Sequence, residues 1–245
     1  LDFIKYSIKL KKLDISLVID LQNSQRTEIY HLCTRIFHRN VRINSARKFA
    51  HFRYKIHSHD QEHVRDGLNN QLKLININEF LEPNIDWLKN KNFKNPLPKK
   101  YVVLIPGSSK SGIKKRWPTK SFSELSNIFI KEHYDVIATG SYADQPIIDE
   151  IISYNPKIKK SEKLSKFNNF INLCNDSSLI VSVDTGPAHI AALSNKPFIW
   201  LVEKGPYNLT NIPLSDNIYT LKADKMKNIS VEEVVQVSKK ILSIR

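Results

Sequence analysis

With 245 residues, 41% of them hydrophobic, the chain has the composition of a soluble globular protein and room for one large domain or two modest ones. No apolar run approaches the roughly 20 residues that cross a bilayer, and LDFIKYSIKLKKLDISLVID lacks the parts of a signal peptide. The formal charge of +14 favours an anionic partner such as nucleic acid, anionic lipid or a phosphorylated glycan, against the plainer reading of a lysine-rich composition from AT-rich coding DNA.

In chain order, ISLVID (15–20) reads as a strand and SQRTEIYHLCTRIF (24–37) as a helix. VRI (41–43) reads as a short strand, a basic loop rich in histidine follows, and a helix lies near 62–75. EPNIDWLKNKNFKNPLPKK (82–100) is polar and holds three prolines, which predicts a linker. It divides an N-terminal domain over 1–90 from a C-terminal domain over 101–245, with the linker proper at 91–100. YVVLI (101–105) is the next strand. Ser121 and Glu124 have the spacing of a capping box at the head of a helix carrying Phe122, Leu125, Ile128 and Phe129. YDVIA (134–138), a helix over 145–154, a helix over about 165–175, the strand LIVSV (179–183), a short helix and the strand FIWLV (198–202) follow. SVEEVVQVSKKILSI closes the chain as an amphipathic helix. Strands alternating with helices predict an α/β fold with a parallel sheet covered on both faces. Ligands of such sheets bind at the carboxyl ends of the strands.

Three loops leave those ends. PGSSKSGIKKRWP (106–118) has the glycine spacing of a P-loop at Gly107 and Gly112, but Ile113 and Lys114 stand where that motif needs Lys and Ser or Thr. What remains is a turn with Ser108 and Ser109, then Lys114, Lys115 and Arg116, groups that suit a diphosphate or merely an exposed basic loop. In ATGSYADQP (138–146), Asp144 either caps the next helix or accepts a hydrogen bond from a ribose hydroxyl or a base amine. In VSVDTGPAHIAALSNKP (181–197), Asp184, Thr185 and Gly186 precede a helix with Pro187 in its first turn and His189 just inside it. Helix N-termini of this kind bind phosphate.

The order and spacing of these loops resemble glycosyltransferase family 9, the ADP-heptose:lipopolysaccharide heptosyltransferases. The resemblance rests on IPGSSKSGIKKRWP…FSEL, VIATGSYAD and SLIVSVDTGPAHIAALSNKP, and more weakly on LVIDLQNSQRT (17–27), where Asn23 replaces the family's Gly. It implies a GT-B fold of two Rossmann-like domains and an inverting, metal-independent transfer of a heptose-type sugar from an ADP-sugar to a lipopolysaccharide core or other anionic glycolipid. No cofactor is implied, and no nucleic acid. By the same resemblance, Ser108 and Ser109 hydrogen-bond the diphosphate, Lys115 balances its charge, and Asp144, one methylene shorter than the family's usual Glu, sits near the nucleoside. Asp184, Thr185 and Gly186 meet the sugar and diphosphate, with His189 close by.

The family's first strand and its glycine-rich loop, with the Asp proposed as catalytic base, have no counterpart in a chain that starts at Leu1 rather than Met. The N-terminal domain is therefore expected to be incomplete and the catalytic residue is unassigned. The alternative is a nucleotide-sugar-binding remnant that does not transfer. Only Cys33 and Cys174 occur, too few for a disulfide framework, which suits a reducing cytoplasm. The implied acceptor would bring the protein to the inner face of the inner membrane.

Lesser signals point elsewhere. His51, His57, His59 and His63 fall within thirteen residues but without a Cys, a weak metal pattern. No Gly-x-Ser-x-Gly elbow exists to make Asp184 and His189 part of a hydrolase triad. The aromatics among cations in KFAHFRYK (48–55) suit an acceptor-facing loop better than RNA.

Overall fold

The computed structural model describes residues 2–55, 62–84, 86–92, 95, 100–161, 167–205 and 209–243. The chain divides into two compact units, Leu1–Glu82 and Pro83–Arg245.

In the first unit, helix α1 (Asp2–Lys12) precedes strand β1 (Leu17–Ile19), helix α2 (Gln25–Phe37), strands β2 (Arg42–Ser45) and β3 (Phe52–Arg53), and helix α3 (Val64–Lys73). The three strands form a parallel sheet in the order β1-β2-β3. The sequence pattern misses α1 because much of its docking is polar. The Tyr6 ring meets Tyr30 edge-on at 4.8 Å, its hydroxyl lies 3.0 Å from the Thr34 hydroxyl, and Ser7 Oγ lies 2.7 Å from His38 Nε2. Leu10 adds a buried side chain.

At the carboxyl end of β1 the chain turns through Asn23, whose φ of 49° lies in the left-handed region. Asparagine tolerates this region better than most residues, which explains how it stands where the resemblance expects Gly. Its side chain then knits the unit together: Oδ1 accepts from Ser45 Oγ (2.9 Å) and Ala46 N (2.7 Å), and Nδ2 donates to Gln71 Oε1 (2.7 Å). Asp20 accepts from the backbone N–H groups of Gln22 and Asn23 and from Ser45 Oγ, with His31 Nε2 at 3.2 Å. Burial pushes the Asp20 carboxyl up, but hydrogen bonds from Thr27, Asn23 and Ser45, with the His31 charge, outweigh it and hold its pKa below the usual range.

The second unit runs β4 (Tyr101–Ile105), α4 (Thr119–Lys131), β5 (Asp135–Ala138), α5 (Gln145–Tyr154), β6 (Lys159–Lys160) and α6 (Phe167–Asp176). It continues with β7 (Leu179–Val183), α7 (Gly186–Ala192), β8 (Phe198–Glu203), β9 (Ile218–Ala223) and α8 (Val231–Leu242). Its sheet is parallel throughout, in the order β6-β5-β4-β7-β8-β9. Counted from β4, that is 3-2-1-4-5-6, a doubly wound sheet.

Strand side chains alternate between the two faces. Val102 and Leu104 of β4 join Phe122, Leu125 and Ile148 in one apolar cluster, while Tyr101, Val103 and Ile105 join Ile171, Ala188 and Trp200 in the other. Burying each such aliphatic or aromatic side chain contributes roughly 1.5–3 kcal/mol, so the sheet is held from both sides.

Two expectations shift. The break between units lies at 82/83, ahead of the expected 90/91, because Asn90 is bonded to α6: its N–H donates to Asn172 Oδ1 (3.1 Å) and its carbonyl accepts from Asn172 Nδ2 (2.9 Å). The capping box expected at Ser121 and Glu124 is not formed. Pro118 takes the N-cap position of α4, so Ser121 lies inside the first turn. Capping boxes form instead at Ser141/Asp144 and Ser230/Glu233.

Candidate functional site

In a 3-2-1-4-5-6 sheet the winding reverses between the first and fourth strands, and the loops leaving them diverge to opposite faces, opening a crevice. Here those strands are β4 and β7, paired with Ile105 opposite Ser182. The loop after β4 carries Ser108, Ser109 and Lys115, and the turn after β7 carries Asp184, Thr185 and Gly186. The sheet thus brings two of the three singled-out segments together at the crevice.

They touch directly. Lys115 Nζ donates to Asp184 Oδ2 at 2.6 Å, across 69 residues of chain. The Lys115 side chain is 46% exposed and that of Asp184 only 14%, so the cation faces solvent while the carboxylate is tucked behind it. An exposed pair like this contributes at most about 1 kcal/mol. It is therefore a cheap contact for an incoming anion to displace.

Around the pair, the first loop is internally braced. Ser108 is buried, and its hydroxyl donates to the Gly112 carbonyl (2.8 Å) while accepting from Arg116 Nε (3.1 Å). Arg116 also donates to the Ser108 carbonyl (3.1 Å). Read in sequence as one of three cations, Arg116 instead fixes the turn that carries Ser108. The neighbouring Trp117 is buried, meets Phe122 edge-on at 5.0 Å, and donates from Nε1 to the Ile229 carbonyl at 2.9 Å. With Trp117 anchored inward, Lys114 and Lys115 emerge on the exposed side. Ser109, also exposed, precedes this turn without capping it through its side chain.

Asp144 sits deeper. Its Oδ2 accepts from the Ser141 N–H (2.8 Å) and hydroxyl (2.7 Å), closing the capping box ahead of α5. The carboxylate also fills the space where side chains at Gly107 and Gly140 would point. At the N-cap position of α5 itself Asp144 makes no side-chain capping bond; its carboxylate serves the preceding turn, Tyr142–Asp144, instead.

On the β7 side, Thr185 occupies the N-cap position of α7 with extended backbone, and its hydroxyl makes no capping bond to the helix. Asp184 is thus outside the cap, bonded to Lys115. A Cβ built on Gly186 meets nothing within 4 Å, so open space lies in front of this turn. Pro187 falls in the first turn of α7, as expected, and His189 is exposed two residues further on. Among the described residues no group of three His, Cys, Asp or Glu is placed to hold a metal ion. His57 and His59 lie outside the described residues, and His51 accepts the Ile43 N–H through Nδ1.

Hydroxyls, a cation and a short helix start thus gather at the switch point of a doubly wound parallel sheet, the architecture of an α/β protein. The chain belongs to glycosyltransferase family 9 (heptosyltransferase), whose family model matches residues 4–240. It is 30% identical over 142 residues to lipooligosaccharide heptosyltransferase 2 of Haemophilus influenzae, a match covering 54% of this chain and 39% of that protein's length. Among solved structures it is similar to E. coli ADP-heptose lipopolysaccharide heptosyltransferase II, with a TM-score of 0.70 at 17% identity, covering 98% of this chain and 80% of that one. The E. coli heptosyltransferase WaaC with ADP-2-deoxy-2-fluoro heptose gives 0.67 at 18%, covering 92% and 72%. These likenesses are of fold: α/β with parallel sheets, of the GT-B type that the resemblance implied.

Proposed function

We propose that this chain handles the nucleotide sugar in an inverting, metal-independent glycosyl transfer, moving a heptose-type sugar from an ADP-sugar to a lipopolysaccharide core or other anionic glycolipid. The observation that carries the reading is the Lys115–Asp184 pair at the switch point. In it, the diphosphate takes Lys115 from Asp184, and the freed carboxylate accepts hydrogen bonds from sugar hydroxyls. Ser109 and Thr185 offer hydroxyls and the first turn of α7 its N–H groups. Negative charge grows on the diphosphate as the glycosidic bond breaks, and a positioned cation there stabilises the transition state more than the ground state. The matched protein from H. influenzae is named a heptosyltransferase, and the WaaC structure holds an ADP-sugar, which supports the donor class. No helix among the described residues is long and apolar enough to cross a membrane, so the reading takes contact with the inner face of the inner membrane to be peripheral.

Calorimetry tests the donor end. ADP should bind in EDTA, and Lys115→Ala should weaken it at least tenfold, since a charge-assisted hydrogen bond is worth about 1.5–3 kcal/mol. Lys114→Ala should change little. Binding that requires Mg²⁺ overturns metal independence, and equal losses from the two lysines overturn the assignment of Lys115.

The open space before Gly186 supplies a second check. Gly186→Ala should melt at or above the wild-type temperature, because alanine restricts the unfolded chain by roughly 0.4–1 kcal/mol where the backbone accepts it. The added methyl should still lower ADP-sugar affinity at least tenfold by occupying the ligand's space. Unchanged affinity would show that the turn does not face the donor.

A second reading, binding without transfer, draws on a specific observation. Both carboxylates at these strand ends are already engaged, Asp144 by Ser141 and Asp184 by Lys115. Turnover of an ADP-sugar with a core acceptor, monitored as ADP release, separates the two readings.

A further inference from the structure

Helices α1 and α2 leave an apolar groove on the surface of the first unit. It is lined by Ile4, Ser7 and Ile8 of α1 with Cys33 and Phe37 of α2, and has a volume of about 260 Å³. Ile4 is 66% exposed, Ile8 50% and Phe37 67%, with Ile36 beside them also exposed. A soluble surface rarely gathers so many large aliphatic and aromatic side chains without a partner.

The flanking charge selects that partner. Helix α1 carries Lys5, Lys9, Lys11 and Lys12, with no acid between Phe3 and Leu13. At 100° per residue, Ile4 and Ile8 share one stripe, Lys11 lies at its edge, and Lys12, Lys5 and Lys9 follow on the adjoining exposed side. The opposite side holds Tyr6 and Leu10, which pack inward. Arg35 and Arg39, on and just after α2, are exposed as well. An apolar stripe bordered by lysines is the arrangement of a helix lying in the headgroup region of a bilayer. Long lysine stems let the ammonium groups reach the phosphates while the isoleucines enter the acyl boundary.

We propose that the α1–α2 face is a docking surface for an anionic lipid bilayer, with Ile4, Ile8 and Phe37 entering the interface and Lys5, Lys9, Lys11 and Lys12 pairing with lipid phosphates. This deepens the membrane-facing part of the proposed function by assigning it to one surface. The vesicle assay below contains neither donor nor acceptor, so its outcome is independent of whether the chain transfers sugar.

The test is sedimentation of the whole chain with vesicles of phosphatidylcholine alone or with 30% phosphatidylglycerol, at low and high salt. Binding should need the anionic lipid and weaken as salt rises, because exposed charges are screened over about 8 Å at physiological ionic strength. Lys5→Gln/Lys9→Gln/Lys12→Gln should lower affinity by about fivefold per lysine. Ile4→Ser/Ile8→Ser/Phe37→Ser should lower it at least tenfold while the circular dichroism spectrum is kept, since all three side chains are already exposed. As a control, Lys222→Gln/Lys225→Gln/Lys227→Gln removes equal charge from exposed positions of the second unit and should leave binding near wild type. Equal loss from the control, binding to neutral vesicles, or no effect of the apolar variant each overturns the proposal. So does a concentration-dependent dimer abolished by Phe37→Ser, which would make the face a contact between copies.

Discussion

Gly107→Ala is expected to lower the melting temperature by about 6–12 °C, the equivalent of roughly 3 kcal/mol in a unit of this size. A Cβ at this position would overlap the Asp144 carboxylate, closer to Oδ1 and Cγ than real Cβ atoms come, and 2.8 Å from Oδ2. The carboxylate cannot swing aside freely. Its Oδ2 holds the Ser141 N–H and hydroxyl, and its Cβ already crowds the position a side chain at Gly140 would take. Either Asp144 leaves its capping box, abandoning hydrogen bonds in a buried setting at about 1–3 kcal/mol, or the loop from Pro106 moves, with an overpacking cost of about 1–3 kcal/mol. The backbone freedom of glycine has no part in this, since its φ is not in the left-handed region. Thermal melts of Gly107→Ala, Asp144→Ala and the double variant decide the matter. The glycine change should cost much less once the carboxylate is gone, as expected for residues in contact. Simple additivity of the two costs would refute the packing argument.

Asp184→Asn should melt within about 1 kcal/mol of wild type, because it removes one exposed ion pair, yet lose tenfold or more in ADP-sugar affinity or turnover. The isosteric amide keeps the shape but turns one acceptor oxygen into a donor and discharges the carboxylate. Lys115 is released from its 2.6 Å contact at the same time. Free ADP should therefore bind at least as tightly as to wild type, since a negative charge has left the neighbourhood of the diphosphate. The split between ADP and ADP-sugar is the readout. If Asp184 served only to hold Lys115 in place, both ligands would weaken together. An Asn variant with full sugar-nucleotide affinity and turnover would leave the carboxylate without a role in donor binding.

How much of this was legible in the sequence depends on how far each feature reaches. The alternation of strands and helices from 101 onward was plain, because β4, β7 and β8 are buried on both faces and read as continuous apolar runs. Strands β3 and β6 are two residues long, too short for any periodicity to show. Strand β9, IYTLKA, lies at the sheet edge, and its apolar residues Ile218, Leu221 and Ala223 are only partly buried against the core. At the site, the residue types and loop positions were readable, but their pairing was not. Lys115 and Asp184 meet only because β4 and β7 lie side by side, a fact of strand order. Arg116 was hidden for another reason. In a run of three cations nothing local separates the one that braces Ser108 from its neighbours. The usable clue was Trp117, whose burial fixes which way the loop faces.

The bond from Trp117 Nε1 to the Ile229 carbonyl spans 112 residues, and it sets the order in which the crevice can be completed during synthesis. Ile229 immediately precedes Ser230, the cap of α8, so the partner of Trp117 is made only after every strand of the sheet. On the ribosome, β4, its loop and the turn after β7 all emerge before the partner of the Trp117 indole N–H is made. Contacts so distant in sequence form late. A nascent chain stalled before residue 229 should therefore present the loop of Ser108, Ser109 and Lys115 with the Trp117 indole N–H still without its carbonyl partner.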